Sequence, residues 1–143
     1  MADICNAGIA VTPILLTTQV VPHTILVTVS AIVSGLMLVT HPNGETMGLP
    51  MSILDDTAFP DYFYPGILLV LLVGVPHLLS IYYLGKRHVK QYEVSLFAAI
   101  LLIGWIIAQM IYIHSGNWLH YTCLGIGVLE VLISLQLRGK WVV

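Results

Sequence analysis

Residues 66–85 read GILLVLLVGVPHLLSIYYLG, a stretch that contains no Asp, Glu, Lys or Arg. An α-helix rises about 1.5 Å per residue, so this stretch would be about 30 Å long, which matches the hydrocarbon core of a bilayer. The basic sequence KRHVK follows immediately at residues 86–90. The stretch therefore predicts a membrane-spanning helix with a basic flank.

Three further stretches have similar length and character. They lie at residues 19–40, 93–113 and 118–137, and polar or turn residues bound each of them. The chain of 143 residues is 58% hydrophobic and 8% charged, whereas about a quarter of the residues of a soluble domain are charged. The sequence thus predicts a single all-α transmembrane domain over residues 1–143, folded as a four-helix bundle with antiparallel neighbours.

The segment before the first stretch is apolar but lacks the pattern of a signal peptide. Residues 1–18 contain Asp3 and no Lys or Arg, so the basic region of a signal peptide is missing. Pro13 interrupts the segment, and Pro22 fits the first turn of a helix, where a missing N–H costs nothing. We expect residues 9–18 to be an interfacial or irregular lead-in, and the first spanning helix to remain as a signal anchor.

The basic residues predict the orientation of the chain. All of them fall on one side of the membrane in this arrangement: Lys86, Arg87, Lys90, Arg138 and Lys140. By the positive-inside rule that side is cytoplasmic, so both termini are expected in the cytoplasm. The same residues suit contact with anionic lipid.

The opposite side receives a loop over residues 41–65 that carries acidic residues and no Lys or Arg. Turn signals recur in it, and residues 51–54 are apolar enough to lie on the membrane surface or to cap the bundle. We therefore expect an ordered outer loop between the first two helices. An aromatic belt at this interface is predicted from Phe59, Tyr62, Phe63, Tyr64, Trp118 and Tyr121.

Three strings in the sequence resemble those of a known group of proteins. Residues 41–54 read HPNGETMGLPMSIL, residues 59–69 read FPDYFYPGILL and residues 104–109 read GWIIAQ. Over residues 30–113 the chain resembles small bacterial four-helix inner-membrane proteins whose activity is uncharacterised. The resemblance implies a bacterial inner membrane and the same topology, and it supplies no catalytic residues.

Polar side chains recur on one face of each predicted helix. Because such groups are costly among lipid chains, we expect them to face the bundle interior or a wet cavity. On the fourth helix, steps of three and four residues align His120, Cys123, Gly127, Glu130 and Ser134. The corresponding residues are His23, Ser30 and Ser34 on the first helix, Gly66, Gly74, His77 and Ser80 on the second, and Ser95, Trp105, Gln109 and Tyr112 on the third.

His77 and Glu130 form the natural pair, because residue counting puts both about 10 Å into the hydrocarbon from the cytoplasmic side. One interpretation is a proton or cation relay or a ligand anchor, since imidazole and carboxylate exchange protons readily. The other is a structural hydrogen bond between the second and fourth helices, worth about 0.6 to 2 kcal/mol. The sequence leaves open whether the side chains meet. Pro76 is expected to kink the helix beside them.

A second polar layer is expected near the outer ends of the third and fourth helices. It comprises Gln109, Tyr112, His120 and Cys123, with Trp105 one turn from Gln109. Trp105 and Gln109 suit either a ligand site or core packing with an interhelical hydrogen bond. An outer metal site remains an alternative although its spacing fits no motif, with the ligands His41, His114, His120, Cys123 and Met47 or Met51. Small residues, among them Gly35 and Gly104, predict close helix approach.

Three classes of function follow from the sequence. The first, which we favour, is binding or passing a small solute, ion or lipid through the polar-lined bundle interior. The second is an accessory or structural subunit of a larger membrane complex, and the third is an intramembrane enzyme acting on a lipid-like substrate. No catalytic motif supports the third. The predicted partners are the lipid bilayer and either a second copy or a larger membrane protein, whereas no basic patch predicts nucleic-acid binding. The sequence specifies no cofactor.

Overall fold

Long helices make up most of the chain. The computed structural model describes residues 2–55, 57–113 and 118–139, with side chains from residue 20 onward except those of residues 113 and 119. The helices are α1 (Ala2–Thr40), α2 (Phe63–Leu69), a π-helical turn (Val70–Gly74), α3 (Val75–Gly85), α4 (Gln91–Ile113) and α5 (Trp118–Leu137). The predicted all-α class is confirmed.

Four helical stretches are long and apolar enough to cross a bilayer. They are Val20–Thr40, Phe63–Gly85, Gln91–Tyr112 and His120–Leu137. The second of them joins α2, the π-helical turn and α3. Large apolar side chains such as Leu71, Leu78 and Ile100 are exposed on the outside, which suits contact with lipid. The chain thus has the candidate transmembrane helices of a multi-pass membrane protein.

The helices pack as a ring in chain order. α1 contacts α2, the π-helical turn and α3, while α3 contacts α4, α4 contacts α5, and α5 returns to α1. α3 and α5 therefore lie diagonally across the ring. We call the end of the bundle that carries Lys86, Arg87, Lys90 and Arg138 the basic rim, and the end at residues 41–62 the loop end.

The first helix is longer than predicted. Its backbone is helical from Ala2 to Thr40, so an irregular lead-in at residues 9–18 is wrong, and Pro22 lies inside the helix rather than in its first turn. Each proline removes one backbone hydrogen bond, but a helix still satisfies the remaining backbone groups of an apolar segment better than irregular chain does. An interfacial position of residues 9–18 stays a prediction.

Short 3-10 turns connect α1 to α2, at Glu45–Met47 and Met51–Leu54. Gly44, with φ of 72°, adopts the left-handed conformation that glycine tolerates best, and its carbonyl accepts the N–H of Leu49 at 3.0 Å. Leu38 of α1 packs with Leu54 and Tyr62 in a small apolar cluster. These contacts attach the connection to the end of α1.

Tyr62 closes this connection. Its backbone N–H donates to the carbonyl of Pro42 at 2.9 Å, and its hydroxyl donates to the carbonyl of Pro50 at 2.8 Å. Burial raises the pKa of the Tyr62 phenol above its ordinary value of 10.0. The neutral phenol therefore stabilises the folded state at pH values below the ordinary value, and this contribution is lost as the pH rises through the raised value.

Tyr62→Phe is expected to lower the free energy of unfolding by about 1 kcal/mol, because the bond to Pro50 is lost. The variant should also lose the part of the alkaline destabilisation that comes from this phenol. Thermal unfolding in detergent at about pH 8 and about pH 11 measures both effects. Tyr64→Phe, at an exposed tyrosine, is the control. If wild type and Tyr62→Phe lost equal amounts of stability between the two pH values, the result would contradict a raised pKa of the Tyr62 phenol.

Candidate functional site

His77 lies in the first turn of α3, directly after the π-helical turn. In that turn the N–H of Val75 donates to the carbonyl of Val70, five residues back instead of four. Pro76 has no N–H to donate, and a wider turn next to it is a common way to absorb that loss. The local effect of Pro76 is thus a π-helical turn. His77 lies directly after this turn, and its side chain is 0% exposed.

The ring of His77 makes two contacts that fix where one of its hydrogens lies. Nδ1 is 2.8 Å from the carbonyl oxygen of Val73, which only accepts, so Nδ1 donates. Nε2 is 3.2 Å from Oε2 of Glu130. This second contact holds one hydrogen, either on an imidazolium facing a carboxylate or on a carboxyl facing a neutral imidazole. In both arrangements the pair has no net charge.

Glu130 lies on the inner face of α5 and is 1% exposed. One of its oxygens contacts His77 of α3, and the other accepts the hydroxyl of Thr24 of α1 at 2.9 Å. The three side chains therefore join three helices and cross the diagonal of the ring. We call Thr24, Glu130 and His77 the proton cluster. A charged or polar group at membrane depth needs such partners, because lipid offers none.

The hydroxyl of Thr24 has two acceptors within reach and one hydrogen. Its Oγ1 is 2.9 Å from Oε1 of Glu130 and 2.9 Å from the carbonyl oxygen of Val20. When Oε1 has no hydrogen, Thr24 donates to it. When Oε1 carries a hydrogen, that hydrogen can be donated to Oγ1 while Thr24 donates to Val20. The proton cluster can therefore satisfy all its hydrogen bonds in two states, one of which holds one proton more than the other.

The helices that surround the cluster carry other titratable groups. Glu93 of α4 and Arg138, after α5, form an ion pair with each other at 3.1 Å at the basic rim. His23 of α1 and Tyr92 of α4 lie nearer that rim than the loop end and have interactions of their own. On the loop-end halves of α4 and α5 the titratable residues are Tyr112, His120, Tyr121 and Cys123.

The inner face of α1 differs from the predicted one. Thr24 and Thr28 are buried, whereas Ser30 is exposed and His23 and Ser34 are only half-buried. A threonine or serine hydroxyl in a helix can donate to the carbonyl four residues back, so hydroxyl positions alone do not reveal which face is inside. The signal that identifies the inner face of α1 is the helical spacing of its apolar and small residues. Thr24 shares this spacing with Val20, Val27, Ala31, Gly35 and Leu38.

The residues of the predicted second polar layer have different surroundings. Tyr112 is 52% exposed, whereas Trp105 and Cys123 pack against the apolar cluster of Val27, Ala31, Val73, Leu102 and Ile106. Gln109 is half-buried, and the buried indole N–H of Trp105 has no hydrogen-bond partner among the described residues. The interhelical hydrogen bond expected from the amide of Gln109 stays a prediction. His120 is half-buried and has an interaction of its own.

The predicted outer metal site finds no support in the described residues. Nowhere in residues 2–55, 57–113 and 118–139 do three His, Cys, Asp or Glu side chains come together to hold a metal ion. His114, one of the predicted ligands, lies outside these ranges. The outer histidines were grouped by their depth alone, and equal depth does not place side chains on facing sides of their helices.

Gly104 and Ala108 do not mark a contact between two helices of this chain. They line an apolar groove of 410 Å³ on the surface between the π-helical turn and α4, together with Leu72, Ile100, Leu101 and Trp105. A Cβ added at Gly104 would have no atom within 4 Å. The close helix approach predicted from small residues occurs instead at Gly35, next to Gly66.

Comparisons with protein-family models, curated proteins and solved structures find no match for this chain. Functional inference therefore depends on the geometry of its own residues. The resemblance to small bacterial four-helix inner-membrane proteins stays a prediction.

Proposed function

We propose that this protein binds and passes a small ion through its bundle interior, and that the ion is the proton. The observation that carries the proposal is the proton cluster, whose hydrogen bonds are complete both with and without one additional proton. The same geometry favours the proton over larger ions. Nε2 of His77 and Oε2 of Glu130 are 3.2 Å apart, which leaves no room for another atom between them.

The two contacts of Glu130 indicate whether the neutral cluster releases a proton or takes one up. Removing the shared hydrogen would leave two acceptors facing each other at 3.2 Å, which is unfavourable. Adding a hydrogen to Oε1 breaks no bond, but it gives the cluster a net positive charge inside the bilayer. The cluster is therefore expected to take up a proton from its neutral state and to release it again, because the buried charge is costly.

Infrared difference spectroscopy of the protein in lipid vesicles tests this proposal. Lowering the pH from about 9 to about 5 should add the C=O absorption of a buried protonated carboxyl, and D₂O should shift it. The band should be absent from Glu130→Gln and present in Glu93→Gln, at a carboxylate of the rim. A spectrum without any Glu130-dependent band across this range would overturn the proposal.

We infer also that the protein lies in the inner membrane of a bacterial cell with both termini in the cytoplasm and with the loop end outside. Support comes from the basic rim, which holds Lys86, Arg87, Lys90 and Arg138, whereas residues 41–62 contain no Lys or Arg. Basic loops remain on the cytoplasmic side during insertion. The connection at the loop end would then face the outside, where its 3-10 turns cover the end of the bundle.

Thiol labelling tests this orientation. In a chain with Cys5 and Cys123 replaced by Ala, Thr46→Cys at the loop end and Val89→Cys at the basic rim supply exposed thiols, the second at a residue that is 94% exposed. A reagent that cannot cross membranes should label Thr46→Cys in intact cells and Val89→Cys only after permeabilisation. The reverse pattern would invert the topology.

A further inference from the structure

Three buried serine side chains lie between the proton cluster and the basic rim. They are Ser80 of α3, Ser95 of α4 and Ser134 of α5. Ser80 follows His77 by three residues and Ser134 follows Glu130 by four, so each lies one turn nearer the rim on the same helix face. The hydroxyl of Ser134 contacts that of Ser95 at 3.3 Å. We call these three residues the serine layer.

The hydroxyls of this layer are poorly satisfied compared with others in the bundle. The hydroxyls of Thr28, Thr40 and Thr122 each donate to the carbonyl four residues back. By contrast, Oγ of Ser80 is fully buried and has no hydrogen-bond partner in the described part of the chain. A buried hydroxyl without a partner costs about 1–3 kcal/mol, and ordered water is the usual partner of such groups.

The opposite side of the proton cluster is mainly apolar. Val73 precedes His77 by one turn, and Val27 follows Thr24 by three residues, so both lie toward the loop end. With Ala31, Leu102 and Ile106 they form the main apolar cluster of the bundle. The buried polar groups on this side are the hydroxyl of Thr28, which donates to the carbonyl of Thr24, and the indole N–H of Trp105, which can donate but cannot accept a proton. The proton cluster thus has the serine hydroxyls on its rim side and mainly hydrocarbon on its loop side.

We propose that ordered water binds in the serine layer, with Ser80 as a ligand, and that it connects the proton cluster to the basic rim. On uptake, a proton of this water adds to the carboxyl group of Glu130, and the water regains a proton from the rim side. Only O–H and N–H bonds form and break in this step, because the shared hydrogen lies on Nε2 of His77 once Oε1 of Glu130 is protonated, and no oxidant or reductant takes part. This inference rests on the proposed function, because it assigns the side from which the same cluster exchanges protons.

The test uses the full-length protein in vesicles whose orientation is measured with the Thr46→Cys and Val89→Cys thiols. The pH is changed rapidly on one side, and the infrared band of Glu130 is followed in time. We expect the band to appear faster after a pH change at the basic rim than after the same change at the loop end. Ser80→Ala should slow its appearance about tenfold or more without changing its final amplitude, which corresponds to about 1.4 kcal/mol in the barrier.

Two further variants keep the test decisive. Ser30→Ala removes an exposed serine of α1 and should leave the rate unchanged. Ser134→Ala removes a second member of the serine layer and should slow the rate as Ser80→Ala does, so the result does not depend on the folding of one variant. A band that appears as fast after a change of the loop-end pH as after a change of the rim pH, or rates in both serine-layer variants that equal that of Ser30→Ala, overturns the water site while the proposed function stands. A complete absence of the band overturns the proposed function itself.

Discussion

Glu130→Gln is expected to abolish proton exchange by the bundle and to leave the fold intact. The amide of Gln has the shape of a carboxyl group, so its N–H can donate to Nε2 of His77 at the place of Oε2. Its carbonyl oxygen can accept the hydroxyl of Thr24 at the place of Oε1. Every hydrogen bond of the cluster is thus replaced, but the amide neither binds nor releases a proton in the physiological range.

Proton flux into vesicles, followed with a pH-sensitive dye under an imposed pH gradient, measures this effect. Flux that depends on the protein should fall to the level of empty vesicles in Glu130→Gln. Glu93→Gln is the matched control, because it removes a carboxylate that pairs with Arg138 at the rim. Unchanged flux in Glu130→Gln with an unchanged unfolding temperature would leave the pair as a structural hydrogen bond between α3 and α5.

Glu130→Ala separates the structural contribution of the pair from its proton chemistry. It leaves Nε2 of His77 without a partner in the described structure, whereas Thr24 retains the carbonyl of Val20. A buried donor or acceptor left alone costs about 1–3 kcal/mol. The variant should therefore unfold at a lower temperature than Glu130→Gln, although both are inactive. The difference between the two variants reports the structural contribution directly.

The sequence predicted the polar pair because its signal is strong. Ionisable residues are rare inside apolar stretches, and counting from the helix ends put His77 and Glu130 at the same depth. Depth and face together restrict such residues to a few partners. The third member, Thr24, was missed because a hydroxyl can satisfy itself within its own helix, so its presence in a membrane helix carries little information about its neighbours.

The sequence likewise predicts some features of the helices strongly and others only weakly. Charges and apolar length locate the candidate spans, whereas a proline in an apolar segment is a weak signal, since residues 9–18 are helical although Pro13 lies among them. The π-helical turn before His77 was not foreseen, since Pro76 predicts only that one hydrogen bond is lost and not how the helix adjusts. Gly104 faces outward although its spacing resembles that of a packing residue.

Gly66→Leu is expected to cause the largest loss of stability of any substitution considered for this chain, because Gly66 lies where α1 and α2 come closest. A Cβ added at Gly66 would lie 2.8 Å from the carbonyl oxygen of Gly35 and 2.9 Å from Cβ of Leu38. The first of these is a backbone atom, so it moves only if α1 itself moves. Overpacking typically costs about 1–3 kcal/mol, and Leu adds further atoms beyond its Cβ.

The damage at Gly66 should extend to the proton cluster, because Thr24 belongs to α1 and His77 follows α2 in the same continuous helix. Moving α1 away would lengthen the bond from Thr24 to Glu130, so Gly66→Leu is expected to lower proton flux as well as the unfolding temperature in detergent.

Gly125→Leu is the matched control, since a Cβ at that glycine of α5 meets no atom within 4 Å. Equal unfolding temperatures for the two variants would show that α1 and α2 do not approach as closely as Gly35 and Gly66 indicate. A lowered temperature with wild-type flux would show instead that the proton cluster does not depend on the position of α1.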